Sequence, residues 1–371
     1  MIYIRNISRL LVGAVFIFSG IVKGVDPLGT AYRIDDYFIA YGTEWAIPLA
    51  LFLSVSLCAL EFVLGISLIF NAWIKRTSWP LFLMMIFFTI LTLADAIWEP
   101  VPDCGCFGDA ITLSNWATFY KNIVLIILVG IIFFQRKKFK PVKTKAYGLV
   151  VLSLFSIAFV YFSMYNLNHL PMMDFREWKV GTNMDPEGGS QAKIYLLYRN
   201  TETGEIKEYL SPDYPWQDSV WMSKWEFLNQ RVDDSDVIRS HNLIIEDKQA
   251  RDLTDEIISN PEYQFIVVAY DVSKTNRDVF NSLYSFYKEA YGDGYLLIAL
   301  TSSLPMEVEE FYREQKLDRD FEFFYGDDVV LKTMIRANPG LILMKEGIVL
   351  GKWHYNDIPD YEDVKEEYMQ N

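Results

Sequence analysis

Five apolar runs, each close to twenty residues long, crowd the first 165 positions and restrict what this chain can fold into. Residues 4–22, 46–70, 80–98, 118–135 and 146–164 each approach the ~20 residues a helix needs to cross a bilayer core. The first run, IRNISRLLVGAVFIFSGIV, has the signal-peptide position. It carries Arg5 and Arg9 inside its start, no clear A-x-A site follows, and four more runs come after it. It is therefore read as a retained helix. Asp95 falls near one end of the third run, where a span tolerates a charge.

Charge divides the chain of 371 residues in two. Residues 1–165 hold 13 Lys/Arg against 9 Asp/Glu, whereas residues 166–371 hold 21 against 39. The second part has the composition of a soluble domain, and its acidity excludes a nucleic-acid partner, because it would repel phosphate. In the first part, Arg5 and Arg9, then Lys75 and Arg76, then QRKKFKPVKTK (135–145) all fall on one side of the spans. The positive-inside rule assigns that side to the cytoplasm. The opposite loops, 23–45 and 99–117, carry Asp26, Asp35, Asp36, Glu44, Glu99, Asp103 and Asp109. Five crossings then place residues 165–371 beside those loops, in a bacterial cell the periplasm, where disulfides persist. The expected localisation is the inner membrane, multi-pass, with a cytoplasmic N-terminus.

Two of the three cysteines lie in PDCGCFGDA (102–110), at the outer end of the third span. A disulfide between Cys104 and Cys106 needs an accommodating middle residue, and Gly105 restricts the backbone least. The small ring would be strained and easily reduced, hence able to oxidise other thiols. A structural bridge and two free thiols are the alternatives. A metal is not expected, since the loop has no third Cys and no His. Cys58 and Glu61 share one face of the second span. A carboxyl at that depth faces a cavity, a bundle interior or a partner. Glu61 either handles protons near a quinone or, protonated, hydrogen-bonds a neighbouring helix. Cys58 reads as a packing residue. Lys23, Asp26, Arg33, Asp35 and Asp36 read as a solvated, interfacial loop, with a re-entrant cap as the sharper alternative. Lys121 and Asn122 enter the fourth span from its outer end, where Lys121 can snorkel.

The stretches FSGIVKGVDPLGTAYRIDDYF, LEFVLG (60–65), DCGCFGD (103–109) and YKNIVLIIL (120–128) resemble the DoxX superfamily, and within it the MauE branch. The resemblance covers about the first 140 residues, and C-G-C-F-G is its most specific part. It implies a four-helix membrane bundle tied to periplasmic thiol–disulfide chemistry or to maturation of redox partners. The MauE name implies disulfide formation in methylamine dehydrogenase, yet no residue here points to methylamine. Quinone-coupled disulfide-forming enzymes also combine a bundle with a surface cysteine pair, but this chain lacks their second pair.

Past a connector with turns (165–190), AKIYLLYRN (192–200) and the TETGEI and KEYL that follow read as a β-hairpin, and DYPWQDSVWMSKWEF (213–227) as a Trp-rich packed hook or a partner face. From 264 the pattern alternates strand and helix. QFIVVAYDV, a helix to 292, GYLLIALTSS, the helix EVEEFYREQKL and the two strands of ANPGLILMKEGIVLGKWH follow one another as in a thioredoxin fold. Pro339 then stands where such folds place a cis-proline. The slot for C-x-x-C reads Val272-Ser273-Lys274-Thr275-Asn276, and no cysteine follows residue 106, so this domain has no thiolate with which to attack a disulfide. What remains is a groove beside Pro339 able to hold an extended peptide, with Ser273 either a contact or a helix N-cap. His241 and His354 read as ordinary polar residues.

The expected architecture is a membrane α-helical bundle followed by an α/β thioredoxin-like periplasmic domain. Its parts are a four-helix bundle (1–140), a fifth transmembrane helix (141–165), a β-rich region (166–260) and the thioredoxin-like domain (261–371). Two functions are open: a membrane thiol–disulfide oxidoreductase, or an accessory to one, working through Cys104 and Cys106; or a membrane-anchored binding protein whose redox-inert tail docks an envelope protein.

Overall fold

The computed structural model describes residues 2–101, 105–139, 144–185, 193–211, 215, 218–233 and 243–369. Cys104, His241 and Trp216 lie outside the described residues, and with them the reading of a Cys104–Cys106 bridge and part of the Trp-rich segment. The chain divides into two compact units, residues 1–176 and 177–371.

The first unit is helical. Its helices are α1 (Ile2–Val25), α2 (Pro27–Ala40), α3 (Ala50–Ile69), α4 (Ile74–Trp98), α5 (Asn115–Phe134) and α6 (Lys145–Asn168). All but α2 are long and apolar enough to cross a membrane; the segment containing α3 begins with a 3₁₀ turn at Glu44–Leu49, around Pro48. The five expected spans are present, and the protein is a multi-pass membrane protein. Two boundaries differ from expectation. The third span starts at Ile74, before Pro80, because Lys75 and Arg76 sit in its first turn and Arg76 lies over the Trp73 ring, 5.1 Å from its centroid. The segment after the first span is no solvated loop. Helix α1 runs to Val25, and Asp26 then caps α2, accepting a hydrogen bond from the Gly29 amide at 2.9 Å, with Pro27 in the first helical position.

Small residues let α1 and α3 cross closely. A Cβ on Gly65 would lie 2.8 Å from the Gly13 carbonyl oxygen and the Ile17 nitrogen, and one on Gly20 2.9 Å from the Phe62 nitrogen. Helix α6 packs on this pair through Phe159, stacked on Phe62 at 4.6 Å. The core of the bundle is Val12, Phe16, Leu64, Leu68, Leu81, Met85, Val129 and Ile132. Arg5 lies over the ring of Phe139, and Arg136 over those of Trp79 and Phe133.

The second unit carries two sheets. The hairpin is present as β1 (Lys193–Asn200) and β2 (Ile206–Leu210); α7 (Ser219–Lys224) and β3 (Trp225–Asp233) follow, giving an antiparallel sheet in the order β2-β1-β3. Trp221 stacks on Trp225 and meets Tyr198 and Tyr209 edge-on, so this part of the Trp-rich segment packs against its own sheet.

After α8 (Thr254–Ile258) come β4 (Gln264–Val268), α9 (Phe280–Gly292), β5 (Leu296–Thr301), α10 (Pro305–Gln315), β6 (Phe323–Tyr325), α11 (Asp328–Met334), β7 (Gly340–Lys345), β8 (Ile348–His354) and α12 (Tyr361–Tyr368). The sheet order is β6-β5-β4-β7-β8, with β4, β5 and β6 parallel and β7 and β8 antiparallel additions. Strand β4 is buried along its whole length, as expected for a central strand covered on both faces. Alternate residues Phe265 and Val267, Leu297 and Ala299, and Leu341 and Leu343 join Phe280, Leu283, Phe311 and Tyr361 from α9, α10 and α12 in one core. The unit is a mixed α/β fold resembling thioredoxin, enlarged by β6 and α11, and the Asn338–Pro339 bond is cis.

Candidate functional site

Helices α1 to α5 and the 105–107 loop line a cavity of about 610 Å³. Most of its wall is apolar, from Val15 and Phe16 of α1 to Leu53 and Leu57 of α3 and Met85, Phe88 and Leu91 of α4. The polar exceptions are grouped.

At the first group α1 meets α3. The Lys23 ammonium lies 2.6 Å from both carboxylate oxygens of Glu61, and each residue is only 5% exposed. The Ser19 hydroxyl, one turn back on α1, contacts the Glu61 carboxylate at 2.8 Å and the Cys106 carbonyl oxygen at 2.9 Å. The membrane ion pair is thus linked through one serine to the cysteine loop. The close helix crossing makes this possible, since it brings the Glu61 carboxylate within reach of two α1 side chains one turn apart. Glu61 therefore pairs with a lysine ammonium, not only with a neutral donor on a neighbouring helix. Lys23, expected at a solvated surface, is buried because α1 extends past the apolar run that marked its end. Cys58, fully buried one turn from Glu61, is held by side-chain contacts with Thr30 and Ser54 and lies within electrostatic range of Lys23.

A second group lies toward α2 and α5. Arg33 and Tyr37 of α2 and Tyr41 just after it line the cavity, and Tyr37 donates to Asp95 at 2.7 Å. Asp95 lies in the last turn of α4, as expected, but is fully buried; the other oxygen of its carboxyl has no hydrogen-bond partner among the described residues. Lys121 turns inward, its ammonium 4.3 Å from the centroid of the Phe107 ring, and Asn122 donates to Thr92 at 3.1 Å and to the Phe88 carbonyl at 3.3 Å. Cys106 and Phe107 also line the cavity. Gly105 adopts φ +60°, the left-handed conformation that makes a glycine the least strained choice between the two cysteines.

The second unit holds the other candidate residues. Ser273 does not cap a helix: its amide and hydroxyl both donate to Asp271, at 3.0 and 2.6 Å, and Lys274 pairs with the same carboxylate at 2.8 Å. Asn276 instead provides the cap, accepting from the Asp278 amide. Burial acts against the charge on Asp271, but the hydrogen bonds from Lys274 and Ser273 hold its carboxyl below the usual carboxylate range. The turn is tied to the proline loop, since Asn276 donates its amide to the Asn338 carbonyl at 2.9 Å and the Asn338 side chain donates to the Asp271 carbonyl at 2.8 Å. Ser273 and Pro339 are therefore neighbours through Asp271 and Asn338, but the Asn338 carbonyl is already used within the fold. His354 is buried, and its Nδ1 accepts from the Asn356 amide. Among the described residues no three His, Cys, Asp or Glu side chains are grouped to hold a metal ion.

Sequence reasoning missed Lys23 as the partner of Glu61, and Ser19 as the link to Cys106. The signal for Lys23 was Asp26-Pro27, a helix-start pair that leaves residues 23–25 to the preceding helix.

Among curated proteins nothing matches the chain. Among solved structures it is similar to a thioredoxin-like protein from Bacteroides caccae, at 12% identity over 88% of this chain and 82% of that one, with a TM-score of 0.24. Residues 1–135, which span α1 to α5 and hold the cavity, match the family model of methylamine utilisation protein MauE.

Proposed function

We propose that this protein carries out thiol–disulfide exchange at the outer face of the inner membrane through Cys104 and Cys106, and that its cysteine-free C-terminal unit, in the same periplasmic compartment, presents an envelope protein as client. The supporting observation is Cys106 in the wall of a membrane cavity, tied through Ser19 to the buried Lys23–Glu61 pair. The exchange balances without a further reagent. A client thiolate attacks one sulfur of the Cys104–Cys106 disulfide, a mixed disulfide forms, and the other sulfur leaves as a thiolate. A second client thiolate then displaces the first cysteine, so the client gains the S–S bond and this protein holds two thiols. The Lys23 ammonium lies within electrostatic range of Cys106. The basic ends of α1, α4 and α5 support a cytoplasmic N-terminus.

The second reading, a membrane-anchored binding and assembly protein, is favoured by one feature: no cysteine follows residue 106. Trapping separates the two. Cys104→Ser and Cys106→Ser each leave one thiolate, which can attack a client disulfide in the reverse direction, and the mixed disulfide it makes then lacks the neighbouring thiol of this chain that would release it. The exchange reading expects reductant-sensitive adducts with envelope proteins from at least one single variant and none from the double variant. Absence of adducts from both single variants leaves the binding reading.

A further inference from the structure

We infer that the cavity of the first unit binds an acyl chain ending in an acid group, with Lys121 and Arg33 holding the acid and the apolar wall holding the chain. This goes beyond the exchange reading and does not depend on sulfur chemistry.

The polar side chains of the wall are mostly engaged within the fold. Ser19 bonds Glu61, Tyr37 bonds Asp95, Asn122 bonds Thr92, and Thr30 and Thr43 bond the carbonyls of Asp26 and Phe38. Lys23 is neutralised by Glu61. Lys121 differs. It belongs to a membrane-crossing helix, lines the cavity and is half-buried, yet it forms no hydrogen bond or ion pair among the described residues; its ammonium meets the face of the Phe107 ring. An ammonium has three donors, and a charge within a membrane helix calls for a partner. Arg33 brings a second positive charge to the same loop: a Cβ on Gly105 would lie 3.1 Å from its Cγ. Its contact with Asp36 is long, 3.4 Å, between side chains 33% and 43% exposed, so water screens that pair. Neither Asp36 nor Asp95 is among the lining residues. With Lys23 and Glu61 cancelling, Arg33 and Lys121 leave the wall with a net charge of +2.

Further along the bundle the wall is apolar. Leu125 lies one turn past Lys121 on α5, and it meets Phe16 of α1 and Met85 of α4 in the bundle core. The cavity volume, about 610 Å³, lies within the roughly 300–1,000 Å³ of pockets that bury a whole small molecule. A soluble anion would leave the apolar wall unfilled, a neutral lipid would leave Lys121 unpaired, and a cation would be repelled. An acidic amphiphile satisfies both surfaces. The carboxylate of a free fatty acid and the phosphate of an anionic phospholipid share this chemistry.

The test uses the full chain in phosphatidylcholine nanodiscs, in alkaline buffer where a carboxyl is ionised. Two probes carry the same mid-chain diazirine, one a palmitic acid and the other a phosphatidylglycerol. Saturable photolabelling is expected on lining residues such as Phe16, Leu57 and Leu125, and unlabelled palmitate should compete about tenfold better than hexadecanol, which has the same chain without the acid. Lys121→Gln should abolish that preference for the acid, and Lys121→Arg should restore it, a pattern that loss of packing alone would not give. Leu83→Trp, on a side chain 58% exposed on the outside of the bundle, should change nothing. Labelling by the palmitic acid probe alone supports the site and assigns its ligand to free fatty acid; labelling by the phosphatidylglycerol probe alone supports it and assigns the ligand to membrane lipid. Equal competition by hexadecanol and palmitate on the unmutated chain overturns the acid-holding role. Label confined to outward-facing residues such as Leu83, or labelling that does not saturate, overturns the site, and the exchange reading stands or falls separately on its trapped adducts.

Discussion

Lys23 and Glu61 each carry a charge to a depth where it needs a partner. The pair can be retained only because each supplies the other's counter-charge, with Ser19 as an additional contact on the carboxylate. Removing one partner leaves an uncompensated buried charge, so Lys23→Met or Glu61→Gln should lower bundle stability by about 3–5 kcal/mol. The double variant Lys23→Met/Glu61→Leu should recover most of that loss, because two apolar side chains replace the pair. Thermal unfolding of the four chains in one detergent checks this, and additive losses in the double variant would contradict a direct pairing. Glu61 was legible in the sequence because a carboxyl inside an apolar run stands out. Lys23 was not, since it falls one residue beyond that run and resembles any basic flank. Ser19 has no sequence signal at all, because its role depends on where the 105–107 loop lands.

At the level of helices and strands, α1 and α3 bring these residues together, and Gly65 sets their approach. Gly65→Ala should lower stability by about 1–3 kcal/mol, because the new methyl group meets backbone atoms of α1 that cannot rotate away. Gly130→Ala in α5, where an added Cβ meets nothing within 4 Å, is the matched control and should be neutral or slightly stabilising. In the second unit, α10 is fastened by Glu309, which accepts from Arg319 at 2.8 Å and from Lys248 at 3.3 Å. Those hydrogen bonds push the Glu309 carboxyl down to about 2, from an ordinary value of 4.5. A lowered folded-state value means the contribution is present above pH 4.5 and is lost as pH falls toward 2. Glu309→Gln should therefore be less stable than the parent at neutral pH, with the gap closing between pH 4.5 and 2. Acid titration of the near-ultraviolet dichroism reads it, and a constant gap across that range would contradict the assignment. The spans and the alternation of strand and helix after residue 264 were legible because long apolar runs and buried strands leave strong patterns. The three-residue strand β6 and the short helix α11 were not, since seven residues or fewer carry too little periodicity, and α2 was hidden by its mixture of charges and aromatics.

Across the whole molecule, an apolar unit is followed by an acidic unit without a cysteine. The membrane unit holds the sulfur, the buried ion pair and the cavity. In the second unit the turn after β4 has Asp271 binding Ser273 and Lys274. That no cysteine follows residue 106 was legible in the sequence itself. The junction of cysteine loop, serine and ion pair was not, because it joins residues 19, 23, 61 and 106 across three separate segments of the chain. The direct test of the exchange role is the redox state of Cys104 and Cys106 in growing cells, read by alkylation with a mass-bearing maleimide after acid quenching. Cycling predicts that the fraction carrying two labels rises when respiration is blocked and falls when it resumes, while buried Cys58 behaves the same in both states. A pair that keeps one state through both conditions would contradict it.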